Sequence, residues 1–137
     1  MTKLLVFAIT LPLLLSAVAN AQAIRVRANV PFNFIAGSTI FPAGQVEMQS
    51  TGNGDKVLLI RNVNSIAGTV VLSNSCVSQN ASSRTRLVFH RYGAEYFLTE
   101  VWSQGNARGH QLPASSRELE LAKDFSRTEI VLTLAQK

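Results

Sequence analysis

The chain has 137 residues, 47% hydrophobic and 15% charged, with a net charge of +5 and a single cysteine. That length suits one domain, and one cysteine excludes an intramolecular disulfide, so a fold must rest on its apolar core. The basic residues are mostly scattered arginines, without the single basic patch interleaved with aromatics that marks a nucleic-acid binder, so no nucleic-acid partner is expected.

The N-terminus opens Met1-Thr2-Lys3, runs apolar from Leu4 to Leu15 and ends in Ala19-Asn20-Ala21. A positive start, a short apolar run and an A-x-A site follow signal-peptide order. Pro12 interrupts the run, which is also short for a bilayer span of roughly 20 residues. The expectation is a signal peptide over residues 1–21 and one β-rich domain over 22–137, exported to the periplasm or the exterior, with no stable membrane span after cleavage. Removing the leader removes Lys3, so +5 becomes +4. The remaining positive charge weakly favours anionic surfaces such as envelope polymers.

Ile24 to Val30 alternates apolar and polar residues, the period of a strand with one buried face. Pro31 ends or bends it, and Phe32-Asn33-Phe34 resumes the alternation. Ala36-Gly37-Ser38 and Pro42-Ala43-Gly44 read as turns around a short strand, Thr39 to Phe41. Gln45 to Gln49 alternates again. Thr51 to Asp55, with its Asn-Gly, reads as a hairpin. Val57 to Ile60 and Ile66 to Leu72 are near-continuous apolar runs, as expected of strands covered on both faces. Ser73 to Ser83 is small and polar and reads as an exposed loop. Its Asn80-Ala81-Ser82 is a glycosylation acceptor only in a eukaryotic secretory route.

Arg86 to Tyr92 and Glu95 to Trp102 form a hairpin about Gly93-Ala94, which pairs Tyr92 with Glu95, Arg91 with Tyr96 and Phe89 with Leu98. Strict alternation then puts Leu87, Phe89, Arg91, Tyr96, Leu98, Glu100 and Trp102 on the core face. Gln104 to Gly109 reads as a loop, with His110 exposed beyond it. Ser115-x-x-Glu118 is a capping box opening a short helix over Ser116 to Lys123, with Leu119, Leu121 and Ala122 on its apolar face and Glu120 in water. Arg127 to Leu134 is a last strand. About eight strands and one helix imply a mainly β, single-domain antiparallel β-sandwich or small barrel.

Val30-Pro31-Phe32-x-Phe34-x-x-Gly37 and Phe41-Pro42-Ala43-Gly44 resemble the opening "PFxFxxGxxxLPAGxY" segment of a family of small exported β proteins of environmental bacteria. Leu87 to Gly93, Tyr96-Phe97-Leu98 and Ser116-x-x-Glu118-Leu119 are similar to its second half. Phe41 stands where that pattern has leucine, and Val46 near its usual tyrosine. The resemblance implies export and a compact β domain, and supplies no catalytic residue.

The chemistry-bearing residues are few. His90 and His110 are the only histidines. There is no G-x-S-x-G elbow, no zinc-ligand spacing and no phosphate loop, so neither cofactor nor metal is expected. Cys76 has no activating neighbour in sequence and reads as a small buried hydrophobe. The candidate ligand-binding residues are His90, Arg91, Glu100 and Trp102. Glu100, placed in the core, needs a partner there, for which Arg91, Arg25 and Arg27 are candidates, or else an edge position where it reaches water. The expected function is a non-catalytic binding or structural module with an envelope or extracellular partner. The alternatives are a small barrel holding an apolar small molecule, and an enzyme using His90 with Glu100.

Overall fold

The computed structural model describes residues 24–50 and 56–134. The signal-peptide reading and the Thr51 to Asp55 turn lie outside them. In chain order the elements are β1 (Arg25–Val30), β2 (Phe34–Ala36), β3 (Thr39–Phe41), β4 (Gly44–Ser50), β5 (Val57–Asn62), β6 (Gly68–Leu72), β7 (Asn74–Val77), β8 (Arg86–Tyr92), β9 (Glu95–Trp102), β10 (Arg108–Gln111), α1 (Ser116–Leu121) and β11 (Arg127–Thr133).

Two sheets face each other. The first is antiparallel, in the order β1-β4-β5-β6. The second runs β11-β8-β9-β10-β7. The β2–β3 hairpin joins it where β10 ends, through a parallel step from Ile35 to Phe97. The alternation of β1 buries Val26, Ala28 and Val30 and turns Arg25, Arg27 and Asn29 outward. Phe34, Phe41, Met48, Leu58, Ile60, Leu87 and Phe89 fill the space between the sheets and are fully buried. Each contributes roughly 1.5–3 kcal/mol by leaving water. Phe34 stacks on Phe41 with centroids 5.1 Å apart and meets Phe89 edge-on at 5.5 Å, the offset and edge geometries that aromatic quadrupoles favour. The sheets do not close into a barrel, and the architecture is a β-sandwich with one short helix.

Several expectations need correction. The runs in β5 and β6 are covered on one face only: Leu58, Ile60 and Val71 point inward, whereas Val70 is 62% and Leu72 71% exposed. Two predicted loops contain strands, β7 and β10, which pair with each other from Arg108↔Val77 to Gln111↔Asn74. Neither has a period-two pattern of its own: β10 is a strand because it pairs with β9 on one side and β7 on the other, and β7 because it pairs with β10. His110 is accordingly buried, opposite Val101, rather than exposed in a loop.

The β8–β9 hairpin has the expected pairs Tyr92↔Glu95, Arg91↔Tyr96 and Phe89↔Leu98. Gly93 takes a positive φ of 59°, as the two-residue turn requires. The register then slips: Val88 pairs with Glu100, so Thr99 is an extra residue in β9. Its hydroxyl donates to the carbonyl of Val88 at 3.0 Å, and its carbonyl accepts from Leu112. A bulge of one residue inverts every side chain beyond it. Leu87, Phe89 and Leu98 are in the core as expected, but Val101 joins them. Glu100 and Trp102 move to the outer face, and Arg91 is exposed.

Candidate functional site

The structure distributes the four predicted residues over three places. His90 lies on the outer face of the second sheet, where Nδ1 is 3.3 Å from Glu118 Oε1. Tyr92, two residues on, donates its hydroxyl to the same oxygen at 3.2 Å. Burial, and then the Glu118 carboxylate, push the Tyr92 phenol above its ordinary range. Ser115 caps α1 by accepting from the Glu118 amide at 3.2 Å, but the Glu118 side chain turns inward rather than back to the cap. Leu119 and Ala122, expected to dock the helix, are exposed. The one buried residue of α1 is Glu118, only 5% exposed. The helix is therefore fastened to the sheet by polar contacts, this buried one and the exposed pair in which Arg117 donates to both carboxylate oxygens of Glu95 on β9.

Glu100 accepts from the Trp102 indole at 3.1 Å. The Trp102 ring lies over Gly109, where a Cβ would come within 2.7 Å of it, and under the Arg86 guanidinium at 4.9 Å. Cys76 sits opposite Gly109 on β7 and is half-buried rather than buried. Its thiol pKa is raised by burial and then by Glu100, which favours the protonated thiol over the nucleophilic thiolate. Arg91 stands alone at the third place, over Tyr96 at 5.6 Å, and donates to the carbonyl of Gly93.

A serine–histidine contact does occur: Ser73 Oγ and His110 Nδ1 share a hydrogen bond of 2.8 Å. Nucleophile and base within this distance are the first half of a hydrolytic arrangement. Both side chains are buried, and the bond ties the start of β7 to β10. Among the described residues no group of three or more His, Cys, Asp or Glu could hold a metal ion.

The strongest concentration of charge lies elsewhere, on the outer face of the first sheet. Glu47, in the middle of β4, is the only carboxylate on its four strands. Its neighbours across the ladder are Arg27 on β1 and Arg61 on β5, with Arg25 one step along β1. Arg25 Nε donates to Oε1 at 3.0 Å, while Arg61 and Arg27 donate to Oε2 at 2.9 and 3.3 Å. The hydrogen bonds from Arg61, Arg25 and Arg27, in that order, lower the Glu47 pKa from 4.5 to about 2. The carboxylate is 4% exposed although none of the described elements covers this face: the arginine side chains themselves shield it, while they stay 58–70% exposed.

Three guanidiniums on one carboxylate leave two positive charges unbalanced. Each guanidinium has five N–H donors in a planar fork, and one bond apiece to Glu47 leaves donors directed at solvent. Glu47 thus fixes three guanidiniums in place. Sequence reading paired Arg25 and Arg27 on one strand face but offered them to Glu100; the signal for Glu47 was its own place in an alternating strand, with polar neighbours Gln45 and Gln49 on the same face.

No family model, no curated protein and no solved structure matches the chain.

Proposed function

We propose that this chain is an exported, non-catalytic binding module of the cell envelope or exterior, and that it binds anionic groups through the arginine face of its first sheet. The observation that carries this reading is the fan of Arg25, Arg27 and Arg61 about Glu47. One cation would balance the charge of that carboxylate. Three are present, all exposed, with no other carboxylate on those strands. Planar guanidiniums held in fixed positions suit phosphate, sulfate or carboxylate oxygens. The space between the sheets is filled by aromatic and aliphatic side chains, which supports a surface site over an internal cavity for an apolar molecule. His90 and Tyr92 meet the same oxygen of Glu118 on α1, an arrangement that supports a fastening role over catalysis with Glu100.

Retention on beads carrying inorganic polyphosphate tests the reading. The wild-type chain should be held at low salt and released as salt rises. The Arg27→Gln/Arg61→Gln variant should pass through. Equal retention of the two proteins would remove the arginine face from the function.

A further inference from the structure

We infer that this same face docks on an anionic lipid bilayer, an inference that rests on reading the arginine fan as a binding surface. The antiparallel register orders the face. One row across the sheet reads Arg25, Gln49, Leu59, Val70, and the next reads Arg27, Glu47, Arg61, Gly68. Beyond the first row, Val57 stands beside Leu72. Successive residues of a strand point to opposite faces, so all of these share the outer face, while Val71 between Val70 and Leu72 turns into the core. The face is therefore divided. The β1 side carries the guanidiniums, and the β6 side carries aliphatic side chains, of which Val70 and Leu72 are mostly exposed.

A soluble polyanion satisfies only the first half. It offers nothing to Val70 and Leu72, whose exposure on an edge strand is otherwise a liability. A bilayer of acidic phospholipid presents both chemistries in one plane: phosphate oxygens at the headgroup level and hydrocarbon just beneath. Arginine stems lie along apolar surface while their heads stay among the phosphates. This is peripheral attachment through charge and shallow apolar insertion, and it needs no spanning segment.

Co-sedimentation with vesicles decides it, using residues 22–137, which contain every described strand and the whole core. The vesicles are phosphatidylcholine alone or phosphatidylcholine with about 30 mol % phosphatidylglycerol, a surface negative enough to attract basic segments. A parallel arm measures retention on polyphosphate beads. The wild-type chain should bind the acidic vesicles and not the neutral ones. Arg27→Gln/Arg61→Gln should lose about thirtyfold in vesicle affinity, at roughly fivefold per arginine near such a surface, and should lose bead retention too. Val70→Ser/Leu72→Ser should lose about tenfold on vesicles and keep full bead retention. Val70→Thr/Leu72→Thr replaces it should the serine variant fail to fold, since threonine suits a strand.

Bead retention without vesicle binding would overturn lipid docking and leave the arginine reading standing. So would vesicle binding indifferent to Val70 and Leu72. Binding to neither would overturn both. A concentration-dependent dimer abolished by Val70→Ser/Leu72→Ser, without vesicle binding, would assign the aliphatic half to a second copy and overturn the inference.

Discussion

Glu47 and Glu118 are both withdrawn from water, on opposite outer faces of the sandwich, and they are held by different means. Glu47 lies on an open sheet and is shielded by three charged partners that reach over it. Glu118 lies beneath the helix that carries it and is met by a phenol and an imidazole. In the first case the partners have donors to spare, and these face outward. In the second the carboxylate is consumed in holding α1 against β8. The first face is thereby left open, while α1 covers the part of the second where His90 and Tyr92 lie.

The layer that both faces share sets the scale for breaking this comparison. Phe89 is fully buried and touches Phe32 and Phe34, so Phe89→Ala should cost about 3–5 kcal/mol in urea unfolding. An outer-face variant that cost more would invert the ranking of core over faces. Next comes Glu118→Ala. It strands the Tyr92 hydroxyl in a buried setting and leaves α1 held by the exposed Arg117–Glu95 pair, at about 1–3 kcal/mol for a buried group left unsatisfied. A cost near zero by the same measurement would mean that apolar contacts, and not the glutamate, fasten α1. Ser115→Ala removes only the cap of that helix and should cost about 1 kcal/mol, with the loss smaller than that of Glu118→Ala; the reverse order would make the cap the principal fastening.

The first face answers mainly to acid. The folded-state pKa of Glu47 lies below its ordinary value, so its ionised form stabilises the fold fully above about pH 4.5. That contribution is lost as the pH falls through about 2. Thermal unfolding of the wild type should therefore fall more steeply than that of Glu47→Gln between these pH values, and the two curves should converge at the acid end. Arg61→Gln, which removes the largest contribution to the shift, should flatten the wild-type slope more than Arg27→Gln. Parallel curves for all four proteins would mean that the fan does not form in solution, and the contrast between the two glutamates would lose one side.

Much of the fold was legible because its signals are local. The period of two in Ile24 to Val30 and Gln45 to Gln49 sets which side chains share a face. The Gly93 turn sets three cross-strand pairs, and the Ser115 hydroxyl caps a backbone amide three residues away. These features depend on neighbours along the chain, which the sequence displays directly. The candidate site was less legible. His90, Arg91, Glu100 and Trp102 lie in one hairpin, and sequence proximity alone groups them, whereas the bulge and the two sides of the sheet separate them.

The sequence by itself determined the strands with strong alternation, the turns between them, the capped helix and the dependence on an apolar core in place of a disulfide. Only the tertiary structure decided the rest. Thr99 enters β9 as an extra residue because its carbonyl and hydroxyl find Leu112 and Val88, and that one insertion sends Glu100 from the core to the outside. β10 is a strand because it meets β9 and β7, and β7 because it meets β10. Arg25, Arg27 and Arg61 converge on Glu47 across 14 to 22 residues of chain. In each case the deciding partner lies far along the sequence, and the hydrogen bond or ion pair that fixes the outcome forms only once the sheets have assembled.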